Sequence, residues 1–437
     1  MTFDELPTSL LKTVMEFAEP CWRGVARHVC HSWRTTARNL DSRLSSNGMC
    51  SSPELLAWAM RQGSPWPAHH CLETAAGLGQ LEVLQLYASK GFPIASCPTI
   101  CNKAAGNGHL PVLVWAHQHG CVCSEETCSA AAEGGQLEAL RWLRCHGCPW
   151  DSRTCAAAAR GGYLAVLIWA REQGCHWGDT ATAAAAGGQR AALEWSAAQG
   201  CALDEDVSAA AAGGGHLDLL RWLRSERMCT WDEETCAAAA GGGHLPTLQW
   251  ARQHQCPVDG TAWSGAVRGG HLAILQWLMA QGCPSAQDSC FVAAMGGHLD
   301  TLQWLRAEGF GWDADTCAAA AGGGHLPTLQ WLRDQGCEWD ESVGHAAAEE
   351  GHMEVLQWAA ERGCPLDEDT CAAAARGGHV PVLEWLHARG CSWDEDACVA
   401  AVDGGHLAAF QFLRQHGCPC EEGTLDMAAD TWPEAEL

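Results

Sequence analysis

Along most of the chain, apolar residues recur in short bursts of helical spacing, each closed by glycine. In GGGHLPTLQWLRDQGCEWD, Leu326, Leu329 and Leu332 share one helical face, with Trp331 beside them. Pro327 falls in the first turn, where a missing N–H is tolerated, and Gly336 stands where a left-handed cap ends the helix. A second kind of segment precedes each such burst. It opens at an aspartate (Asp313, Asp340, Asp367, Asp394), which accepts from the orphan N–H groups of a helix start. It continues in small residues, as in CAAAA at 317–321, and stops at paired glycines. The pattern predicts two short antiparallel helices, one bulky and one small, with little or no strand.

This two-helix unit repeats. With His325 as marker, equivalents fall at Gln80, His109, Gln136, Tyr163, Gln189, His216, His244, His271, His298, His352, His379 and His406. Nine of the twelve intervals are 27 residues, the others 29, 26 and 28, so the period is a property of the chain and not of chance. A degenerate earlier copy, LLAWAMRQGSPW, places Trp58 and Trp66 at the unit's two tryptophan positions. A unit this short cannot bury its leucines and indole alone, so neighbours must stack. The expected fold is all-α: a solenoid of about fourteen stacked helix-turn-helix repeats. The repeats occupy residues 51–430, after a small helical module at 1–45 and before an acidic tail at 431–437. With helix layers ~8–10 Å apart, the rod would be on the order of 110–130 Å long, its small-residue helices lining a concave face.

GHLPVLEWLHARGC (378–391) and the alanines before the paired glycines resemble the ankyrin repeat family, with Cys371 where that family has leucine. The family's TPLH tetrapeptide is replaced by DTCA at 315–318 and 369–372. Against the family period of about 33 residues, the missing stretch is where its β-hairpin fingers lie. The resemblance therefore implies stacked helix pairs joined by short acidic turns, serving as a protein-binding scaffold. A second resemblance lies in FDELPTSLLKTVMEFAEPCWRGVARHVCHSWRTTAR (3–38), which looks like an F-box through Leu6, Pro7, Leu10, Leu11 and Val14. It implies docking on the Skp-type adaptor of a cullin ubiquitin ligase, which would make the chain a substrate receptor. Arg23 and Gly24 fall where that motif prefers leucines. The alternative, compatible with it, is a cap over the first apolar face of the stack.

Charge narrows the partners expected. The net charge is −26, while residues 1–50 are nearly balanced, with six Lys/Arg against five Asp/Glu. Counterion release from phosphate needs a basic footprint, so no nucleic-acid partner is expected. Nor is an anionic membrane, and a basic protein partner would be steered in by the acidic surface. No apolar run approaches the ~18 residues of a span, and no charged region followed by an apolar one opens the chain. A cytoplasmic or nuclear setting is expected, with the 27 cysteines reduced.

Most cysteines form two columns, one inside the small helix (Cys155, Cys317, Cys371) and one after the bulky helix (Cys175, Cys337, Cys391). Members of one column lie a full repeat apart, too far to share a zinc ion. The group Cys121, Cys123, Cys128, Cys145, His146 and Cys148 is the local exception, open to metal or redox chemistry as well as to plain burial. The histidine column is expected to bond locally in the first turn, and the tryptophans to fill the core. GGGH strings recur at helix junctions and are caps, not phosphate loops. No one place visibly breaks the repeat's rules, so no catalytic residue, metal or cofactor is assigned and no enzyme is expected. Specificity should lie in positions that vary between copies. Three residues before the marker, at the end of the small helix, stand Glu133, Arg160, Arg268, Met295, Glu349, Arg376 and Asp403, the candidates for partner recognition.

Overall fold

The computed structural model describes residues 68–432. These hold twenty-seven α-helices and one 3-10 turn, Ile94–Ser96, and among the described residues there is no strand. The chain is an all-helical repeat protein. It divides into two compact units, one running to Ala211 and taking in Asp218–Cys229, the other comprising Ala212–Leu217 and the chain from Thr230. Trp58, Trp66 and the F-box-like residues Leu6, Pro7, Leu10, Leu11 and Val14 lie outside the described residues. No helix among the described residues is long and apolar enough to cross a membrane.

A repeat of the second unit shows how the sequence makes its helices. Asp313 is in extended conformation, and its carboxylate accepts the Thr316 backbone N–H at 3.2 Å. The Thr316 hydroxyl in turn accepts the Asp313 N–H at 3.3 Å, completing a capping box. The small helix, Ala314–Gly322, buries Thr316, Cys317, Ala320 and Ala321. The bulky helix, Leu326–Asp334, has His325 as its N-cap residue and buries Thr328, Leu329 and Leu332. Each fully buried leucine contributes roughly 1.5–3 kcal/mol. Gly336 follows with φ +80°, the left-handed stop read from the sequence.

The paired glycines do more than stop the small helix. A β-carbon at Gly269 would sit 2.7 Å from the carbonyl oxygen of Gly241, one repeat earlier. The equivalent atoms at Gly377 and Gly404 would overlap the carbonyl oxygens of Glu349 and Arg376. Backbones of successive small helices thus touch, which alanine at these glycines would forbid. The histidine column completes the joint. His271 Nε2 donates to the Gly241 carbonyl at 3.0 Å, and His298 Nε2 to that of Arg268 at 2.8 Å. The His271 ring also lies where a β-carbon of Gly243 would be, 2.7 Å from its Cε1. His109, His271 and His298 therefore bond across the joint and not, as the sequence suggested, within their own turn.

The two cysteine columns meet inside those repeats that carry both, among them Cys155 with Cys175, Cys317 with Cys337 and Cys371 with Cys391. Cys317 and Cys337 are both buried and hydrogen-bonded to one another, and Cys337 Sγ donates to the Asp313 carbonyl at 3.2 Å. That bond with Cys337, followed by burial, pushes the Cys317 thiol up. The pair behaves as compact filling that also satisfies a cap carbonyl.

The tryptophans depart from expectation. Trp312 and Trp331 are half-buried, packed edge to face at 5.5 Å, with the Arg306 guanidinium 4.2 Å above Trp312. The bulky helix's Trp331 thus packs against Trp312, which is in turn covered by Arg306 from the bulky helix Leu299–Ala307 of the preceding repeat. Among the described tryptophans only Trp222 and Trp263 are buried in full, at 3% and 0% exposure.

Candidate functional site

The variable column sits where expected along each small helix. Glu133, Arg268, Met295, Glu349, Arg376 and Asp403 are the last residues of their small helices, and Arg160 is the last but one of Ser152–Gly161. All are exposed except the half-buried Glu349. Their backbones are committed to folding, as the Arg268, Glu349 and Arg376 carbonyls show, while their side chains remain outside. Arg376 Nη1 lies 3.7 Å from Glu349 Oε1 on the neighbouring repeat, so adjacent members interact along the surface. Glu133 and Arg160 belong to the first unit; the other five belong to the second.

The structure gathers Arg268 into a feature that the column alone does not reveal. An open cavity of about 910 Å³ is lined by Ala237, Ala238, Gly241, Ser264, Gly265 and Arg268, with Glu234 and Asp259 at its acidic edge. A second cavity of about 690 Å³ adjoins it, the two sharing Ser285 and Ala286, and carries Asp288, Asp313, Asp315, Phe291 and Phe310. Both lie in the second unit.

Sequence columns explain the opening. Ser285 stands where Trp312 stands in the next repeat, and Ala286 where Asp313 caps it. The small helix there is short, Ser289–Met295, and Asp288 before it makes no side-chain cap bond. One repeat earlier, Val258 again replaces the tryptophan and Gly265 an alanine. Trp263 takes the place of the first cysteine. Its indole N–H donates to Ser289 Oγ at 2.8 Å and its ring stacks on Phe310 at 5.6 Å. Phe310 occupies the second cysteine's position one repeat further on. The reading that no one place breaks the repeat's rules is corrected: residues 258–310 break them at six positions, Val258, Trp263, Gly265, Ser285, Ala286 and Phe310. Aligning the copies column by column is the signal that finds it.

The other candidate chemistry resolves into packing. In the cysteine group, Cys121 Sγ donates to the Cys97 carbonyl at 3.0 Å. Burial pushes Cys128 up to about 12. Cys145 is exposed, while His146 bonds the Trp142 carbonyl at 2.8 Å and stacks on that indole at 4.0 Å. Cys121, Cys145 and His146 thus face different ways, while Cys123 and Cys148 meet. Cys123, 3.9 Å from His117 Nδ1, is pulled down to about 6, first by its bond with Cys101 and then by Cys148 and His117, against burial.

Among the described residues, the one group with metal-ligand spacing is His345, Asp367 and Asp369. Sequence reading missed it; the signal was His345 in a column of alanines. His345 Nε2 lies 2.7 Å from Asp367 Oδ1, which also accepts Thr370 N–H at 3.0 Å and its hydroxyl at 2.9 Å. Burial raises the Asp367 pKa, but the bonds from His345 and Thr370 outweigh it and hold the carboxyl below its usual range. The arrangement is a helix cap reinforced from the preceding repeat.

No protein-family model matches the sequence, and no curated protein is significantly similar to it. Solved helical-repeat structures do match. One is the pentatricopeptide repeat protein PPR10 in complex with an 18-nt psaJ RNA element: 13% identity, 98% of this chain and 90% of that one covered, TM-score 0.29. Another is the same protein from maize, at 13% identity, with 98% and 81% covered and a TM-score of 0.30. The first of these holds RNA, and on that finding the expected exclusion of nucleic-acid partners is withdrawn. That exclusion rested on total charge, a sum over the whole surface that does not describe any single face.

Proposed function

We propose that the chain is a non-catalytic scaffold that binds a protein partner along its layer of small helices. The observation that carries this reading is the division of labour within the repeat. The constant positions (glycine pair, histidine, cysteine pair, cap aspartate) are consumed by contacts within and between repeats. The variable column keeps its backbone in those contacts and its side chains outside, where selection for a partner acts without disturbing the stack. Helix pairs without strands across the described residues fit the shortened ankyrin-like repeat read from the sequence over 51–430, with binding moved from fingertips to helix faces.

The test is the full chain with Glu133, Arg160, Arg268, Met295, Glu349, Arg376 and Asp403 all changed to Ala. A partner is first recovered from the native cell with the unaltered chain, and its affinity for both forms is measured by calorimetry. At least tenfold weakening at unchanged melting temperature is expected; equal affinity contradicts the proposal.

The segment at 1–45 supports a further role as an adaptor-docking module, on the F-box-like run Leu6, Pro7, Leu10, Leu11 and Val14. Pull-down with a Skp-type adaptor before and after Leu6→Ala with Pro7→Ala tests it. Loss of capture is expected, and capture by neither form contradicts it.

A further inference from the structure

We infer that the double cavity over residues 234–316 is a docking groove for a basic, extended peptide segment carrying one bulky apolar side chain. The inference rests on the scaffold reading and names the partner class for one part of its surface.

Three observations point to this occupant. First, the groove is a vacancy made by sequence. Ser285 and Ala286 leave out the indole and the carboxylate that fill the same place in the next repeat, and Gly265 removes a methyl from the floor. Trp263, meanwhile, is withdrawn into the core at 0% exposure.

Second, the lining is acidic. Glu234, Asp259, Asp288, Asp313 and Asp315 surround a single cation, Arg268. Such a lining favours lysine and arginine and disfavours anionic ligands.

Third, the groove has an apolar wall. Phe291 and Phe310 line it; Phe291 is 37% exposed, and Met295, one turn later on the same helix face but outside the lining, is 47% exposed. Among the described residues Phe291 and Met295 are the one pair of exposed large hydrophobic side chains that share a helix. Exposed apolar surface rimmed by polar groups is the usual make-up of a docking site. The groove crosses four small helices, from Glu233–Gly241 to Ala314–Gly322. Three steps of ~8–10 Å correspond to about eight extended residues at ~3.3 Å each. Lysines and arginines would meet the carboxylates while the apolar side chain packs on Phe291.

The probe is a fluorescein-labelled decapeptide of alternating lysine and arginine around a central leucine, titrated into the full chain by anisotropy. Controls replace the leucine by alanine or the basic residues by glutamate. Two double variants are compared: Ser285→Trp with Ala286→Asp, which restores the repeat's own residues and refills the groove, and Asp288→Lys with Asp315→Lys, which reverses charge without filling it. Expected are saturable binding that weakens with salt, at least tenfold loss in each variant and in each control peptide, and melting temperatures no lower than the unaltered chain's.

Absence of binding to the unaltered chain overturns the inference, as does binding to either variant as tight as to the unaltered chain. So does a single-stranded RNA oligonucleotide that binds the groove in the peptide's place. If the groove variants bind the native partner normally while the seven-alanine chain does not, the groove assignment falls and the scaffold reading stands. If both bind it normally, the scaffold reading itself falls.

Discussion

Residues 312–337 and residues 258–310 are written on one repeat, and their differences are few. In the first stretch Trp312 covers the flank, Asp313 caps the small helix and the Cys317–Cys337 pair fills the interior. In the second, Val258 and Ser285 stand in the tryptophan column, Ala286 in the aspartate column, and Trp263 with Phe310 in the two cysteine columns. The helices still form and stack, because the glycine pairs and histidines that join repeats are untouched: Gly269 still abuts Gly241, and His298 still bonds Arg268. Joint and filling are thus separable. The joint sets the stack, and the filling decides whether a repeat presents a sealed surface or an open one. Departures confined to the filling are where a function can be written without unfolding the protein.

The comparison breaks most severely at its largest buried ring. Trp263→Ala removes a fully buried indole and its bond to Ser289, and should destabilise by roughly 3–5 kcal/mol. Trp331→Ala in the regular stretch should lose only about 2 kcal/mol, since that ring is half-buried. Denaturant titration of both variants checks the order, and equal losses would contradict it.

Next comes the joint. Gly377→Ala puts a methyl against the Glu349 carbonyl oxygen and should destabilise by ~1–3 kcal/mol, read as a lowered midpoint of thermal unfolding. An unchanged midpoint would show that the backbones do not touch there. Smaller again is the cap: Asp313→Ala should cost about 1 kcal/mol, whereas Asp288→Ala, at a helix start with no side-chain cap bond, should be close to neutral.

The smallest effect is one of pH. The folded-state pKa of Asp367 is depressed, so its contribution is fully present above the unfolded value near ~4 and lost as pH falls through the lower folded value. Unfolding midpoints measured from neutral pH to pH 2 should fall less steeply at the acid end for Asp367→Asn; parallel curves would contradict the shift.

Much of this fold is legible from local pattern, because helix starts and stops act within a few residues. Pro327 in a first turn, Asp313 at a cap and Gly336 at a left-handed stop each mean the same thing in any context. What escapes is whatever joins one repeat to the next. His298 meets Arg268 thirty positions away, and no single copy shows that the ring reaches backwards. The tryptophans were misplaced for a related reason: helical spacing puts Trp331 beside the leucines but does not say that it packs on Trp312, nor that Arg306 of the preceding repeat lies over that partner. The variable column, with Arg268 and Met295 among its members, was readable as a column. The groove beside it becomes readable only when copies are compared and Ser285 and Ala286 are seen as omissions.

Amide hydrogen exchange of the full chain, free and saturated with its protein partner, tests the central claim most directly. The account predicts slowed exchange in the small helices, strongest in residues 260–268, 289–295 and 314–322, with the bulky helices 272–280, 299–307 and 326–334 unchanged. Protection confined to the bulky helices, or spread evenly over both, would contradict it.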